Sequence, residues 1–560
     1  MLKIASNENN SALHGEVNKE NLNECFVQFY FQCIIGNKNN YKSISNRYDE
    51  LFQQAVINDD YKYVIKLYLQ ARDIHEGKGL CEITHLMLET ITYYVYEKET
   101  LSKRVYFKIL KNLVCFHKRK PRPYGSWKDL KYFIEIFLKP HNVFNSKYNF
   151  FKTTRREIAK EIIQKLYIVQ MIKDRKNMSI SKPISLCGKW LPRESSKKFG
   201  WLGKMIARQY HDTVFKLNNR SKDIFKQYRE LIVRFNCYLD TTQIHMTIGE
   251  WGKINFHNVT SLTLLKSKQA FLNHKNFDKQ DRRLCKNNIR IFLNEKLATC
   301  GSLQIDNNIM PHTLVRNAMM NPVDEEIKIL NMQWNGIIDN LMENKNHFMK
   351  FCIPCIDVSP SMYQENPVPL HCAIGMGLLC TEVSHYNRAF TFSSNPTWFN
   401  FVHCDNFVDK VLQIKNEDWG SSTNIFSLFM KVLKACQEAN VSNEHLKEHS
   451  LIIFSDIQFD AQGENCTLDN DNDIFKYIQK EYQKSGYDEI PFLIFWNLRK
   501  TTKLPTIETS KNMLKLSGNA TTLLSVLMDT ELEDIRHLSN WNLVKKILDN
   551  PRYNIVDHLL

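Results

Sequence analysis

The chain has 560 residues, enough for two to four domains, and its 43% hydrophobic and 12% aromatic content can fill large cores. No run of 18 apolar residues occurs and the first residues are polar, so we expect neither a membrane-spanning helix nor a signal peptide. The 15 cysteines follow no regular spacing, which argues against a disulfide framework and predicts reduced thiols in a cytoplasmic location.

Charge is divided unevenly along the chain. The net charge is +15, but residues 101–300 contain 43 basic and 14 acidic residues, whereas residues 346–560 contain 19 basic and 26 acidic ones. Because Lys and Arg are the side chains that bind phosphate, this excess favours nucleic acid, or an acidic protein, as a partner of the first half.

The first half has the sequence of a helical protein. Residues 1–20 are polar and rich in Asn, which predicts a disordered tail. In residues 21–345 apolar side chains recur at helical spacing, for example over 82–96 and 158–172. No repeat of fixed period is evident, so we expect a basic, all-helical domain built as an irregular helical-repeat array.

Basic residues of the first half cluster with aromatic ones. Phosphates bind Lys and Arg, and unpaired bases stack on rings such as those of Trp190 and Trp201. The alternative is a solvated, lysine-rich surface whose tryptophans belong to the core. The predicted nucleic-acid-binding residues are Lys118, Arg119, Lys120, Arg122, Arg155, Arg156, Lys189, Arg193, Lys197, Lys198, Lys204 and Arg208.

The second half alternates apolar runs with helical patterns. Short apolar runs of this kind predict strands that are buried on both faces. Strands alternating with helices predict a doubly wound, mostly parallel, Rossmann-like sheet over 346–535, followed by a C-terminal helical segment over 536–560. The predicted strands cover 351–356, 388–392, 398–402, 451–455, 492–496 and 513–516, and a closing helix is predicted over 521–528.

Oxygen-bearing side chains follow these strands. Asp357, Ser359 and Ser361 come directly after the first strand, Asp456 ends the fourth, and Thr423 lies in a loop at the start of a helix. Because the carboxyl ends of parallel strands share one edge, we expect these groups to converge there. Carboxylate and hydroxyl oxygens suit Mg²⁺, with Ca²⁺ or Mn²⁺ as alternatives.

This arrangement resembles the von Willebrand factor A domain and its metal-ion-dependent adhesion site. That family has Asp-x-Ser-x-Ser after its first strand, a Thr in a later loop and an Asp after its fourth strand. It often has Gly between the two serines, where this chain has Pro360. The resemblance implies an ion with one open position that accepts a carboxylate from a partner. It also implies a metal site made of Asp357, Ser359, Ser361, Thr423 and Asp456.

Six short motifs resemble a family of uncharacterised proteins, domain of unknown function 2828. The architecture of that family is similar to the Ro/TROVE ribonucleoproteins, in which a ring of helical repeats binds RNA and a von Willebrand A domain closes the ring. The resemblance implies an α + α/β fold with a HEAT- or TROVE-like helical half. The motifs are ARDIHEGKG at 71–79, YGSWKDL at 124–130, CGKWLP at 187–192, GEW at 249–251, MPHTLV at 310–315 and VSPSM at 358–362.

Motifs of common enzyme classes are missing from the sequence. There is no His-Glu-x-x-His and no Gly-x-Ser-x-Gly, and the segment 73–79 lacks the spacing of a P-loop and is interpreted as a turn. Cys352 and Cys355 lie three apart on a predicted strand, so they point to opposite faces and cannot easily share a metal ion. We therefore expect a protein that is not an enzyme.

Three functions remain as hypotheses. The first is a non-enzymatic RNA-binding scaffold with a divalent-metal adhesion site in its second half. The alternative is a metal-dependent protein–protein interaction module that binds an acidic partner and no nucleic acid. The third, which we favour least, is a magnesium-dependent hydrolase that uses Asp357 and Asp456.

Overall fold

The computed structural model describes residues 19–33, 41–115, 122–138, 154–215, 223–273, 279–304, 309–342, 348–363, 368–393, 395–416, 424–456, 471–498, 513–517 and 539–557, together with residues 524, 527, 532 and 535. Helix α1 begins at Lys19, and the rest of the predicted disordered tail lies outside these residues. The predicted helix over 521–528 also lies outside them, apart from two positions.

The described part of the first half is helical, as the periodicity predicts. The predicted helix over 82–96 forms with those bounds, whereas a π-helical turn at Ile163–Ile168 interrupts the predicted helix over 158–172. The helices are α1 (Lys19–Gln32), α2 (Tyr41–Ile57), α3 (Tyr61–Arg72), α4 (Glu82–Tyr96), α5 (Lys103–Val114), α6 (Trp127–Leu138), α7 (Arg155–Ile162), α8 (Val169–Ser179), α9 (Cys187–Trp190), α10 (Gly200–Phe215), α11 (Ile224–Tyr238), α12 (Thr242–Ile248), α13 (Ser261–Phe271), α14 (Gln280–Thr299), α15 (Pro311–Ala318) and α16 (Asp324–Met342).

The second half forms a mixed sheet of six strands in the order β3-β2-β1-β4-β5-β6. All neighbouring pairs are parallel except β2 and β3, which are antiparallel, so the predicted strands and the mostly parallel sheet are confirmed. The elements are β1 (Cys352–Asp357), α17 (Pro369–Val383), β2 (Arg388–Phe392), β3 (Trp398–Asn400), α18 (Phe407–Lys415), α19 (Ile425–Glu438), α20 (Asn443–Lys447), β4 (Ser450–Ser455), α21 (Asp471–Lys484), β5 (Phe492–Asn497), β6 (Met513–Ser517) and α22 (Asn540–Leu548).

Helices cover both faces of this sheet, which is why its central strands are apolar throughout. Along β1, Cys352 and Ile356 belong to the core shared with α17 and the helical half, whereas Ile353 and Cys355 belong to the core under α19 and α21. The two cysteines of the Cys-x-x-Cys sequence therefore lie on opposite faces, as predicted. All 14 cysteines in the described part of the chain are free thiols.

The helical half packs directly against the sheet. The rings of Trp334 in α16 and Phe407 in α18 stack with centroids 4.1 Å apart, and the Trp334 indole donates a hydrogen bond to Glu382. Helix α15 packs on α17 at Gly375, where a Cβ atom would lie 2.8 Å from the Cβ of Pro311. This close approach explains the need for glycine within α17.

The C-terminal segment returns to the first helices. Trp541 in α22 packs against Phe26 of α1 and Tyr63 of α3, with ring centroids 5.3 and 5.4 Å away. The buried ammonium of Lys66 lies 3.1 Å from Asp549 and 3.0 Å from Asp557. The two ends of the described chain are therefore held together. Within the described residues, no helix is both long enough and apolar enough to cross a membrane.

We predict that acidification weakens the contact between α15 and α17. Burial, together with the positive charges of His371 and Arg316, lowers the pKa of His312 to about 4. A histidine with a lowered pKa stabilises the fold above its unfolded value of about 6.5, and this contribution is lost as the pH falls. Between pH 7.5 and pH 5 we expect a loss of about 2 kcal/mol from His312.

The thermal midpoint, measured across this pH range, checks the prediction. In His312→Gln the thermal midpoint should change less with pH, because glutamine does not titrate. If the thermal midpoint of this variant falls with pH as steeply as that of the unmodified protein, the prediction is wrong.

Candidate metal site and basic surface

Asp357 lies at the carboxyl end of β1, in the centre of the sheet. Its side chain is only 1% exposed because β1 has a strand on each side. One carboxylate oxygen accepts a hydrogen bond from the backbone N–H of Ser359 at 2.9 Å, and the other accepts one from the hydroxyl of Ser455. These bonds fix the orientation of the carboxylate at the edge where ligands bind in sheets of this kind.

The two serines of the Asp-x-Ser-x-Ser sequence lie side by side. Their hydroxyl oxygens are 3.0 Å apart, and the backbone N–H of Met362 donates to the carbonyl of Ser359. Pro360 begins a 3-10 helix over Pro360–Tyr363, a position that its fixed φ suits. The proline is thus compatible with a loop that gathers both hydroxyls.

Asp456 follows β4, the strand that pairs with β1, so the structure brings it to the same edge as Asp357. It is buried, with 4% exposure. Thr423 lies outside the described residues. Its neighbour Asn424 donates a backbone hydrogen bond to the carbonyl of Ser393, directly after β2, at 3.2 Å. Since β2 is the other neighbour of β1, this contact places the start of α19 at the same sheet edge.

The donor set fits a hard divalent cation. Burial raises the pKa of Asp357 and the charge of Asp456 adds to this, although hydrogen bonds from Ser455 and Ser359 oppose it. A bound cation would offset the cost of holding two negatively charged carboxylates, those of Asp357 and Asp456, in a buried place. An octahedral ion with oxygens at about 2.1 Å has adjacent ligands about 3.0 Å apart, which is the separation of the two serine hydroxyls.

The predicted nucleic-acid-binding residues differ in their surroundings. Arg155 lies 2.7 Å from Glu89 and donates to the Phe137 carbonyl, so its charge is already satisfied. The side chains of Arg156, Arg193, Lys197, Lys198, Lys204 and Arg208 are exposed, and those of Arg122 and Lys189 are partly buried. Lys118, Arg119 and Lys120 lie outside the described residues.

Tertiary packing adds lysines that the sequence did not single out. Lys131 in α6 lies 5.3 Å from the centre of the Trp190 ring and 4.8 Å from that of Phe199, and Lys128 lies 5.5 Å from that of Tyr132. Burial and the charges of Lys128 and Lys198 lower the pKa of Lys131, as expected where cations are crowded. We call this group the aromatic–lysine surface; it consists of Lys128, Lys131, Lys189, Lys198, Tyr132, Trp190 and Phe199.

A second group with metal-binding side chains lies inside the helical half. Ligand atoms of Cys81, His85 and Asp129 all lie within 4.8 Å of one another. Asp129, however, accepts two hydrogen bonds from the guanidinium of Arg72, at 2.9 and 2.7 Å. Burial and the charge of Asp129 also raise the pKa of the Cys81 thiol to about 11. Because Arg72 already supplies the positive charge, we interpret this group as a structural ion pair.

Two family models match consecutive parts of this chain. Residues 159–346 match the model of a family described as Domain of unknown function (DUF2828), and residues 351–549 match another described as Domain of unknown function (DUF7788). The resemblance to the first family is thus confirmed over residues 159–346, whereas residues 351–549, which include the sheet, match a different one. "Uncharacterized protein L728" of Acanthamoeba polyphaga mimivirus is 27% identical over 497 residues, which are 85% of this chain and 78% of that protein. The chain is therefore similar, over most of its length, to an uncharacterised viral protein, and its residues 159–346 and 351–549 match two adjoining domains of unknown function.

Proposed function

We propose that this chain is a non-enzymatic RNA-binding scaffold whose sheet domain carries a divalent-metal adhesion site. The aromatic–lysine surface is the observation that carries the proposal. It combines four ammonium groups with the partly exposed rings of Tyr132 and Trp190, above the buried ring of Phe199. Phosphates bind the ammonium groups, and unpaired bases stack on rings that are partly exposed.

The carboxylate of Glu135 lies beside this surface and offsets part of its charge. Lys198 lies 3.2 Å from Glu135, but the pKa of Lys131 and that of Lys189 are both lowered, in each case by burial first. A phosphate beside these lysines would stabilise their charged forms. The surface also lies within the part of the chain that has 43 basic and 14 acidic residues.

The architecture supports the comparison with Ro/TROVE ribonucleoproteins. The parallel order β2-β1-β4-β5, with helices on both faces and the oxygen donors at one edge, is what a von Willebrand A domain requires. The sheet domain contacts the last helices of the helical half directly, and α22 contacts the first ones. A helical array closed by the second half of the chain is the arrangement in which those proteins hold RNA.

RNA binding is tested with a fluorescent single-stranded oligonucleotide at several salt concentrations. With four lysine–phosphate contacts we expect the affinity to fall about 50-fold between 50 and 200 mM KCl. The double variant Lys131→Glu/Lys189→Glu should lose at least about 100-fold, because each substitution removes one attraction and adds one repulsion. Fluorescence anisotropy measures both effects.

A charge-matched variant provides the control. Lys434→Glu/Lys545→Glu changes the net charge equally at exposed positions in α19 and α22, so its affinity should stay within about threefold. An affinity that does not depend on salt would contradict the proposal. Equal losses in the two double variants would instead indicate non-specific attraction.

At the metal site, Asp357, Ser359, Ser361 and Asp456 would hold Mg²⁺, with Thr423 as the further ligand that the von Willebrand A resemblance implies. The bound ion would supply an electrophilic position for a carboxylate. The position of the ion would be set by the protein, because Ser455 and the Ser359 N–H orient the Asp357 carboxylate. Ser361 is partly exposed, which keeps one side of the site accessible.

We predict that Mg²⁺ stabilises the sheet domain. At a free concentration one hundred times its Kd, a ligand that binds only the folded state adds about 2.7 kcal/mol. The thermal midpoint of a domain of this size should then rise by about 5–10 °C. Asp456→Asn and Thr423→Ala should reduce the increase, whereas Asp405→Asn at an exposed position should retain it. Equal increases in Asp456→Asn and the unmodified protein would contradict the site.

A metal-dependent protein-interaction module is the second candidate. The partly exposed Ser361, beside the 48% exposed Tyr363, favours it because a carboxylate from a partner could reach an ion there. Binding of a glutamate-containing peptide that requires Mg²⁺ and Asp357, in a protein that binds no RNA, would favour this function over the first.

A further inference from the structure

A cavity of about 320 Å³ lies in the helical half, between the start of α6, helix α8 and the segment that leads into α9. It is large enough for a small heteroaromatic molecule, and pockets for such ligands begin at about this volume. Trp127 and Trp190 both line it; Trp190 is partly exposed, whereas Trp127 is buried in the core against Tyr167. The wall residues that matter for its chemistry are Cys115, Ser126, Trp127, Asn177, Leu186 and Trp190.

Helix α8 presents polar side chains to this cavity. Gln170, Lys173, Asp174 and Asn177 all line it, at positions i, i+3, i+4 and i+7 of one helix face. On the same helix, apolar Val169 is 57% exposed to solvent. The helix also buries Met171 in the core, so the cavity borders its polar side, on which Asp174 is buried as well. The cavity is therefore lined for a ligand with polar edges.

Hydrogen bonds hold this polar wall in place. Asp174 accepts from the Gln170 amide at 2.7 Å and from the backbone N–H of Ser185 at 3.1 Å, which joins α8 to the opposite wall. Asn177 donates to the carbonyl of Pro183 at 3.1 Å. Asn177 still offers a second amide hydrogen and its carbonyl oxygen, and Lys173 an ammonium group at the exposed rim.

We infer that this cavity receives one unpaired nucleobase of a bound RNA strand, an inference that rests on the proposed function. Trp190 belongs both to the cavity wall and to the aromatic–lysine surface, so the two are continuous. A base has an apolar face that suits the partly exposed ring of Trp190, and a polar edge that suits Asn177. The ribose-phosphate would remain outside, between Lys173 at the rim and Lys131 on the surface.

The experiment uses the full chain and two kinds of probe. One is a set of fluorescein-labelled homopolymers of 12 nucleotides, rA, rC and rU, at 50 and 200 mM KCl. The other is the corresponding set of free mononucleotides, AMP, CMP and UMP, in calorimetric titrations. Asn177→Leu removes the polar edge at similar volume, and Leu186→Trp narrows the cavity from a wall position that is 54% exposed. Circular dichroism melting confirms that both variants fold.

We expect one homopolymer to bind at least about tenfold more tightly than the others, since hydrogen bonds to a base edge discriminate by about this factor or more. Both variants should remove this preference while the salt dependence, set by the lysines, stays unchanged. Lys131→Glu/Lys189→Glu should instead weaken the binding of every homopolymer and its salt dependence while the base preference remains. A failure of the cavity inference can therefore be told apart from a failure of RNA binding.

Three results would overturn the inference. One is equal affinity for all homopolymers with no effect of either cavity variant, even if RNA binds in a salt-dependent manner. Another is a base preference that survives in both folded variants. The third is tight binding of a free mononucleotide with no binding of any oligonucleotide, which would assign the cavity to a small nucleotide instead.

Discussion

Asp129→Ala is expected to destabilise the helical half by about 3–5 kcal/mol, because it would leave the charge of Arg72 buried and unpaired. Asp129 is 1% exposed and receives two hydrogen bonds from the Arg72 guanidinium, which joins α3 to α6. Burial raises the pKa of Asp129, but Arg72 outweighs it and holds this pKa well below its usual range. The stabilisation is therefore fully present above about pH 4 and is lost as the pH falls below it.

Hydrogen exchange measured by mass spectrometry checks this prediction, since it gives the opening free energy of α3, α4 and α6 separately from the sheet domain. Asp212→Ala at an exposed position is the control and should change little. The double variant Arg72→Met/Asp129→Leu should recover much of the loss, because an apolar pair carries no buried charge. A loss below about 1 kcal/mol in Asp129→Ala would contradict the role of the pair.

Arg552→Met is expected to release the C-terminal segment from the first helices. Arg552 forms two hydrogen bonds to the carboxylate of Asp73, which is fully buried and also accepts from the Tyr553 hydroxyl at 3.1 Å. Tyr124 donates its hydroxyl to the Arg552 carbonyl. Removing the guanidinium leaves a buried carboxylate without its main partner, at a cost of about 3–5 kcal/mol.

Limited proteolysis and hydrogen exchange of α1, α3 and α22 measure this release. We expect faster cleavage near residue 550 and faster exchange in all three helices. Lys545→Ala, an exposed position in α22, is the matched control. Asp73→Asn combined with Arg552→Gln should restore part of the contact. Unchanged protection of α1 in Arg552→Met would show that the apolar contacts of Trp541 and the ion pairs of Lys66 are enough to hold the segment.

The segment 73–79 illustrates what local sequence does not reveal. Its glycines and lysine give it a phosphate-binding composition, and we interpreted it as a turn between helices. In the structure it connects α3 and α4, and Asp73 within it binds Arg552, 479 positions further along the chain. Lys78 is buried against the carbonyls of Tyr30 and Cys33. Both charges have intramolecular partners, which composition alone does not identify.

The predicted nucleic-acid-binding residues also show that local sequence does not reveal the spatial neighbours of a charge. Arg155 belongs to a basic cluster in the sequence, yet Glu89 neutralises it from another helix. Lys128 and Lys131 are not among the predicted residues, although each is next to an aromatic residue in the sequence, and α6 carries them to the ring of Trp190. A signal for the cavity was present, because the polar residues of α8 recur at helical spacing where a core helix has apolar ones. The spacing of these polar residues does not reveal, however, which other segment of the chain packs opposite them to form the cavity.

The strands of the sheet, and the edge at which Asp357 and Asp456 lie, follow from the order of the amino acids. Strands buried on both faces must be apolar along their whole length, and the residues that follow parallel strands meet at one edge. In contrast, the neutralisation of individual charges, the lysines around Trp190 and the place where the C-terminal segment binds follow from the packing of distant segments. Those outcomes depend on contacts between residues far apart in the chain, and the energy of a charge is set by its neighbours in space.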